Sequence, residues 1–131
     1  MVKPPAVDPA LSGRRILVVE DEMLVAMMME DILGDLGCTV VGAAARIAEA
    51  LALARTAAID GAFLDVNVAG ERVFPVAAAL AERQVPFIFV SGYSENVLEA
   101  PFVGRPALKK PFPPRAIAEV LKRCLTERAG S

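Results

Sequence analysis

Four short stretches of this chain hold side chains that could act together on a phosphoryl group: Glu20-Asp21-Glu22, Asp65, Ser91 and Lys109-Lys110. Carboxylates crowded into one pocket repel one another, and a divalent cation relieves that repulsion. A set of carboxylate and carbonyl oxygens with water suits a hard ion, Mg²⁺ or Mn²⁺, better than zinc. A carboxylate can act as a nucleophile and become an acyl phosphate. A lysine and a metal ion offset charge on the phosphoryl oxygens, and a hydroxyl can hydrogen-bond to one of them. Positioning and electrostatics do most of the work in such a transfer. Each stretch alone has a plainer explanation. Acidic residues favour a helix N-terminus, a single Asp or a Ser-Gly pair marks a turn, and paired lysines are commonly a solvated charge pair. Which explanation holds depends on the elements that carry the four stretches.

Five apolar strand candidates alternate with five helix candidates. Arg15 to Glu20 (RILVVE) is a nearly continuous β-branched run of the kind buried on both faces. Met23 to Leu36 reads as a helix ended by Gly37. Cys38 to Ala43 is a second strand and Arg46 to Ala57 an alanine-rich helix. Ile59 to Val66 is a third strand with Asp65 near its C-terminal end, followed by a loop over Asn67 to Gly70. Glu71 to Arg83 reads as a helix, with Pro75 tolerable only near its first turn. Pro86 to Val90 is a fourth strand stopped by Ser91-Gly92, and a short helix is expected over Ser94 to Glu99. Ala107 to Lys109 is a brief fifth strand, and Pro113 to Glu127 a closing helix with apolar residues at helical spacing.

This alternation predicts an α/β domain: a doubly wound, five-stranded parallel sheet covered on both faces, in three layers. In such sheets, ligands bind outside the carboxyl ends of the strands. All four chemical stretches fall at predicted strand C-termini, in chain order, so convergence on one acidic pocket is expected. The 131 residues suffice for one domain, and residues 1–13 read as a flexible tail before it. A net charge of −2 gives no basic face for nucleic acid. No apolar run has the length of a membrane span, and the proline-rich N-terminus has no apolar core of a secretory leader. The absence of His removes His-based catalysis, and Cys38 and Cys124 have no metal-ligand spacing, so both read as reduced packing residues.

The set VVEDE, FLDVNV, FVSGY and LKKPF resembles the receiver domain of bacterial two-component response regulators, over about residues 14–128. The resemblance implies the flavodoxin-like (βα)5 receiver fold and a role for each matching position. Asp65 is the phosphoacceptor. Asp21 ligates Mg²⁺ directly, Glu20 mainly through water, and Asn67 through its backbone carbonyl. Ser91 hydrogen-bonds the phosphoryl group and Lys110 pairs with it. The Lys110-Pro111 bond is expected to be cis, a form that is cheap only before proline. Implied partners are a sensor histidine kinase or a histidine phosphotransfer protein, with the cytoplasm as location and signalling rather than enzymatic turnover as the role.

One position departs from the family. The aromatic switch usually found three residues before that lysine is Ala107 here, while Tyr93 follows Ser91-Gly92 directly. This is similar to single-domain receivers whose motif reads Phe-Ala-Thr-Gly-X-Tyr, often linked to HWE-type kinases. A switch through Ser91, Gly92 and Tyr93 is therefore expected. In the first helix, Val25, Met28, Met29, Ile32 and Leu36 are expected to face the sheet. Leu24 and Met27 then point elsewhere and, with Pro111 and Phe112, would form the docking surface for the phosphodonor. Output would be a phosphorylation-dependent protein contact, or withdrawal of phosphoryl groups from a shared kinase by a stand-alone receiver. Two alternatives are weaker. A phosphatase-like phosphotransferase needs a second Asp where Asn67 stands, and a phosphorylation-independent pseudo-receiver has no reason to combine Glu20, Asp21, Asp65, Ser91 and Lys110.

Overall fold

The continuous apolar runs form the inner strands of a parallel sheet. A computed structural model describes residues 9–92, 102 and 105–130, the side chains of 126–130 excepted. Strands β1 (Arg15–Val19), β2 (Thr39–Ala44), β3 (Gly61–Asp65), β6 (Phe87–Ser91) and β7 (Ala107–Lys109) pair in parallel in the order β2-β1-β3-β6-β7. The intervening β4 (Asn67–Val68) and β5 (Glu71–Arg72) form a separate antiparallel pair. Helices α1 (Met23–Asp35), α2 (Ile47–Thr56), α3 (Phe74–Glu82) and α4 (Pro114–Gly130) complete the described elements. β3 and β6 are buried throughout, and β1 from Ile16 onward, whereas the edge strands β2 and β7 are partly exposed. That difference explains why the inner strands read as unbroken apolar runs.

Apolar residues form one core on each face of the sheet. Leu17, Val19, Leu64 and Phe89 belong to a cluster with Ala50 and Ala54 of α2 and Val76 and Leu80 of α3. Ile16, Val18, Phe63 and Ile88 belong to the other, with Met29 and Leu33 of α1 and Ile117 and Leu121 of α4. The strand order reverses at β1, so the crevice beyond the ends of β1 and β3 is the topological switch point. This is the doubly wound three-layer arrangement expected from the alternation, and the flavodoxin-like fold that the resemblance implies.

Three expectations are corrected. The stretch Asn67 to Gly70 is not a plain loop, and the following helix does not start at Glu71. Asn67 pairs with Arg72 and Val68 with Glu71 in a tight hairpin. Ala69 (φ 50°) and Gly70 (φ 83°) supply the two positive φ angles that a type I′ turn needs. Helix α3 therefore begins at Phe74, which puts Pro75 in its first turn, where a missing N–H is harmless. Second, α1 buries Ala26, Met29 and Leu33, and Leu36 just beyond its end is also buried. That 3–4 spacing carries Met28 round to solvent, not onto the sheet, while Val25 and Ile32 are only half-buried. Third, Leu11, expected in a flexible tail, is fully buried in the cluster with Leu33 and Leu36 and belongs to the core. The Gly13 N–H donates to the Gly37 carbonyl at 2.8 Å and the Cys38 thiol to the Leu11 carbonyl at 3.4 Å, tying this turn to the end of α1. The helix expected over Ser94 to Glu99 lies outside the described residues, as does Tyr93. Among the described residues no helix is long and apolar enough to cross a membrane.

Candidate functional site

β1 ends at Val19, so Glu20, Asp21 and Glu22 occupy the turn into α1 at the carboxyl edge of the sheet. The Glu20 N–H donates to the Ala44 carbonyl, which continues the β1–β2 ladder and turns this side chain inward. Glu20 is buried, and its Oε2 accepts the Glu22 backbone N–H at 3.0 Å. Asp21 is exposed, and its Oδ2 accepts the N–H of Ala69 at the hairpin tip at 2.9 Å. Asp65 closes β3 and is buried, and its Oδ1 accepts the Asn67 N–H at 3.3 Å. Ser91 is the last residue of β6 rather than the stop after it. It is buried, and its carbonyl accepts the Lys110 N–H at 2.8 Å. The Lys110–Pro111 peptide bond is cis.

Lys110 reaches across the edge of the sheet into the acids. Its Nζ lies 2.9 Å from Glu20 Oε1, 3.0 Å from Glu22 Oε1 and 3.1 Å from Asp65 Oδ2. Burial alone would lower the ammonium's pKa, but the bonds to Glu20, Glu22 and Asp65 outweigh it and hold the group above its ordinary value. Burial first, then the contact with the Asp65 carboxyl, pushes the Glu20 carboxyl up to about 7, against the opposing pull of Lys110 and the Glu22 N–H. Residues 20, 21, 65, 91 and 110 thus lie together on one rim of the sheet, as the strand-end argument requires.

A family model for the response regulator receiver domain matches residues 16–122. The chain belongs to that family. The phyllosphere-induced regulator PhyR of Methylorubrum extorquens is 34% identical over an alignment of 117 residues that covers 84% of this chain and 43% of PhyR. The chain therefore spans less than half the length of that relative. SdrG from Sphingomonas melonis Fr1, solved in solution, is 45% identical with a TM-score of 0.78, covering 90% of this chain and 99% of SdrG. A BeF3-activated conformation of SdrG, from Pseudomonas melonis Fr1, is 44% identical with a TM-score of 0.72, over 87% of this chain and 98% of that one.

Receivers hold Mg²⁺ in an acidic pocket, and the residues here fit such an ion. Glu20, Asp21 and Asp65 each offer one carboxylate oxygen, all within 4.8 Å of one another. Glu20 Oε1 is buried beside Lys110 with no hydrogen-bond partner among the described residues, so a cation would satisfy it. The donors are hard oxygens, which suits Mg²⁺. Two contributors in this receiver were not foreseen. In the sequence Glu22 is only the last member of an acidic triplet, yet it is the third carboxylate on Lys110. Ala69 steadies Asp21 through its backbone alone, which leaves no trace in side-chain chemistry.

Beside the pocket a cleft of about 460 Å³ is lined by Glu22, Val25, Met28, Gly92, Lys110, Pro111 and Phe112. On α1, Leu24 is 81% exposed and Met27 53%, and Met23 is exposed with them. Ala107, where the family usually has its aromatic switch, is exposed at the start of β7.

Proposed function

We propose that this receiver takes a phosphoryl group onto Asp65 from a histidine kinase or a histidine phosphotransfer protein. The observation that carries the proposal is Lys110 Nζ, held between Asp65 and Glu20 beside the three-carboxylate cluster. One Asp65 oxygen attacks phosphorus, the P–N bond to the donor imidazole breaks, and its electron pair leaves with the imidazole nitrogen. Lys110, already at Asp65, meets the charge on the phosphoryl oxygens, and the Ser91 hydroxyl donates to one of them. Glu20, Asp21, Asp65 and the Asn67 carbonyl would hold Mg²⁺, which when bound supplies positive charge to the phosphoryl oxygens. Support comes from SdrG, a relative for which a BeF3-activated conformation is known. The test is incubation with acetyl phosphate and Mg²⁺, read by intact mass. Wild type gains one phosphoryl group, and an unchanged mass at full metal occupancy would sink the reading.

The output is a phosphorylation-dependent contact with another protein, or withdrawal of phosphoryl groups from a shared kinase. With Ala107 too small to act as an aromatic switch, the signal runs from Ser91 through Gly92 to Tyr93. Phosphorylation-dependent partner binding that survives unchanged in Tyr93→Ala would end that idea. Leu24 and Met27, with Pro111 and Phe112 at the cleft, form the donor's docking surface, since exposed methionines suit adaptable contacts. Leu24→Glu should slow transfer from the cognate phosphodonor by about tenfold, the size of a modest interface hot spot, and leave acetyl phosphate uptake unchanged. Equal slowing with both donors would place Leu24 outside docking. Partners of this class place the protein in the cytoplasm, and its own reactions are self-phosphorylation and self-dephosphorylation rather than turnover of a substrate.

A further inference from the structure

Glu22 stands outside the roles assigned above, yet its Oε1 lies as close to Lys110 Nζ as the two buried acids do. It differs from them in exposure. The Glu22 side chain is 63% exposed, whereas those of Glu20 and Asp65 are almost wholly enclosed. Lys110 is 17% exposed and lies between the two environments. We infer that Glu22 is a resting-state counter-ion that competes with the incoming phosphoryl group for Lys110. This inference rests on the phosphoacceptor reading of Asp65.

An ammonium has three donors; Lys110 hydrogen-bonds Glu22 and Asp65, and Glu20 Oε1 lies in ion-pair contact with it at 2.9 Å, so three carboxylates already crowd the group. A phosphoryl group on Asp65 brings three acceptor oxygens of its own, so one existing partner must give way. Glu20 is held in place by the Glu22 N–H, and Asp65 carries the phosphoryl group itself. Glu22 is the partner free to leave, because water can solvate its carboxylate as soon as it lets go. Its departure is also a structural option at little expense. Glu22 is the N-cap residue of α1, but its side chain makes no capping hydrogen bond, and it is its backbone N–H that holds Glu20. Removing the carboxylate charge therefore spares the helix end and the pocket wall.

The position of Glu22 in the wall of the cleft beside Met28, Pro111 and Phe112 gives the competition a place in the docked complex. A partner seated there contacts the same carboxylate that restrains Lys110.

The experiment is a beryllofluoride titration in saturating Mg²⁺, followed by amide NMR, on wild type, Glu22→Gln, Lys110→Ala and the double variant. Exposed ion pairs are worth a fraction of a kcal/mol, so Glu22→Gln should lower the half-saturating concentration about threefold. In the Lys110→Ala background the same substitution should change nothing, because Glu22 acts through the lysine. Mg²⁺ affinity measured without beryllofluoride should be the same in wild type and Glu22→Gln. Equal beryllofluoride affinity of wild type and Glu22→Gln overturns the inference. So does an undiminished gain in the Lys110→Ala background, or a gain accompanied by weaker Mg²⁺ binding, since either makes Glu22 a bulk charge on the pocket. Failure of wild type itself to bind beryllofluoride overturns the phosphoacceptor reading, and the inference with it.

Discussion

Asp65→Asn is expected to abolish phosphoryl uptake and, in the absence of divalent ions, to raise thermal stability. The first half follows from removal of the nucleophilic carboxylate. The second follows from what surrounds it. Glu20 and Asp65 are both buried, Asp21 and Glu22 lie beside them, and Lys110 must serve three of the four. At the effective dielectric of such sites, two unit charges about 4 Å apart interact by about 4 kcal/mol in magnitude. For Asp65, the attraction of Lys110 offsets about one of the repulsions, and the second remains. Asn keeps the shape, removes the charge, and its amide can donate to Glu20. After solvent screening the net gain should be about 1–2 kcal/mol, or roughly 3–8 °C in the midpoint of unfolding. Calorimetry in chelator should show it. Saturating Mg²⁺ should close the gap by stabilising the wild type more. A variant less stable than wild type in chelator would mean that the Lys110 pair outweighs the crowding.

The elements that position this pocket were legible because each sits in an unambiguous pattern. β7 spans Ala107 to Lys109 as expected, and the acidic turn, Asp65 and Lys110 fall at strand ends that their apolar runs define. What was not legible has a physical reason in each case. A hairpin of two-residue strands is too short for any periodicity, and its positive-φ Ala69 lacks the usual glycine or asparagine signature. The run Met27-Met28-Met29 allows more than one helical phase, and only the full stripe through Leu33 and Leu36 decides which methionine turns inward. Leu11 is a lone apolar residue among prolines and glycine, with no repeat to mark it as core. For Glu22, the sequence shows a third acid but cannot show which carboxylates a lysine 88 residues away will reach. Motif spacing identifies which residues meet, whereas the division of labour among like charges comes only from distances and burial.

Mg²⁺ binding should weaken as the pH falls below about 7, and the same group should tilt the stability of the metal-free fold. Glu20 is the cause, its carboxyl being pushed up to about 7 by burial and by Asp65. Proton and metal compete for that carboxylate, so affinity should fall by up to about tenfold for each pH unit below 7. Lys110 is held above its ordinary value and stays charged through this range, so it contributes no slope. In the unfolded chain, Glu20 returns to about 4.5. Between about 4.5 and 7 the folded state therefore binds the proton that the unfolded state releases. Metal-free stability should fall as the pH rises through that window, by on the order of 2–3 kcal/mol, and level off above it. Saturating Mg²⁺ takes the ionised form and should remove the decline. Calorimetric Mg²⁺ titrations one unit either side of neutrality, with Glu20→Gln as the non-titrating control, separate the cases. Wild-type affinity that ignores pH across this range would show that Glu20 is already ionised in the resting pocket. The crowding of carboxylates around Lys110 would then be relieved by some group other than this proton.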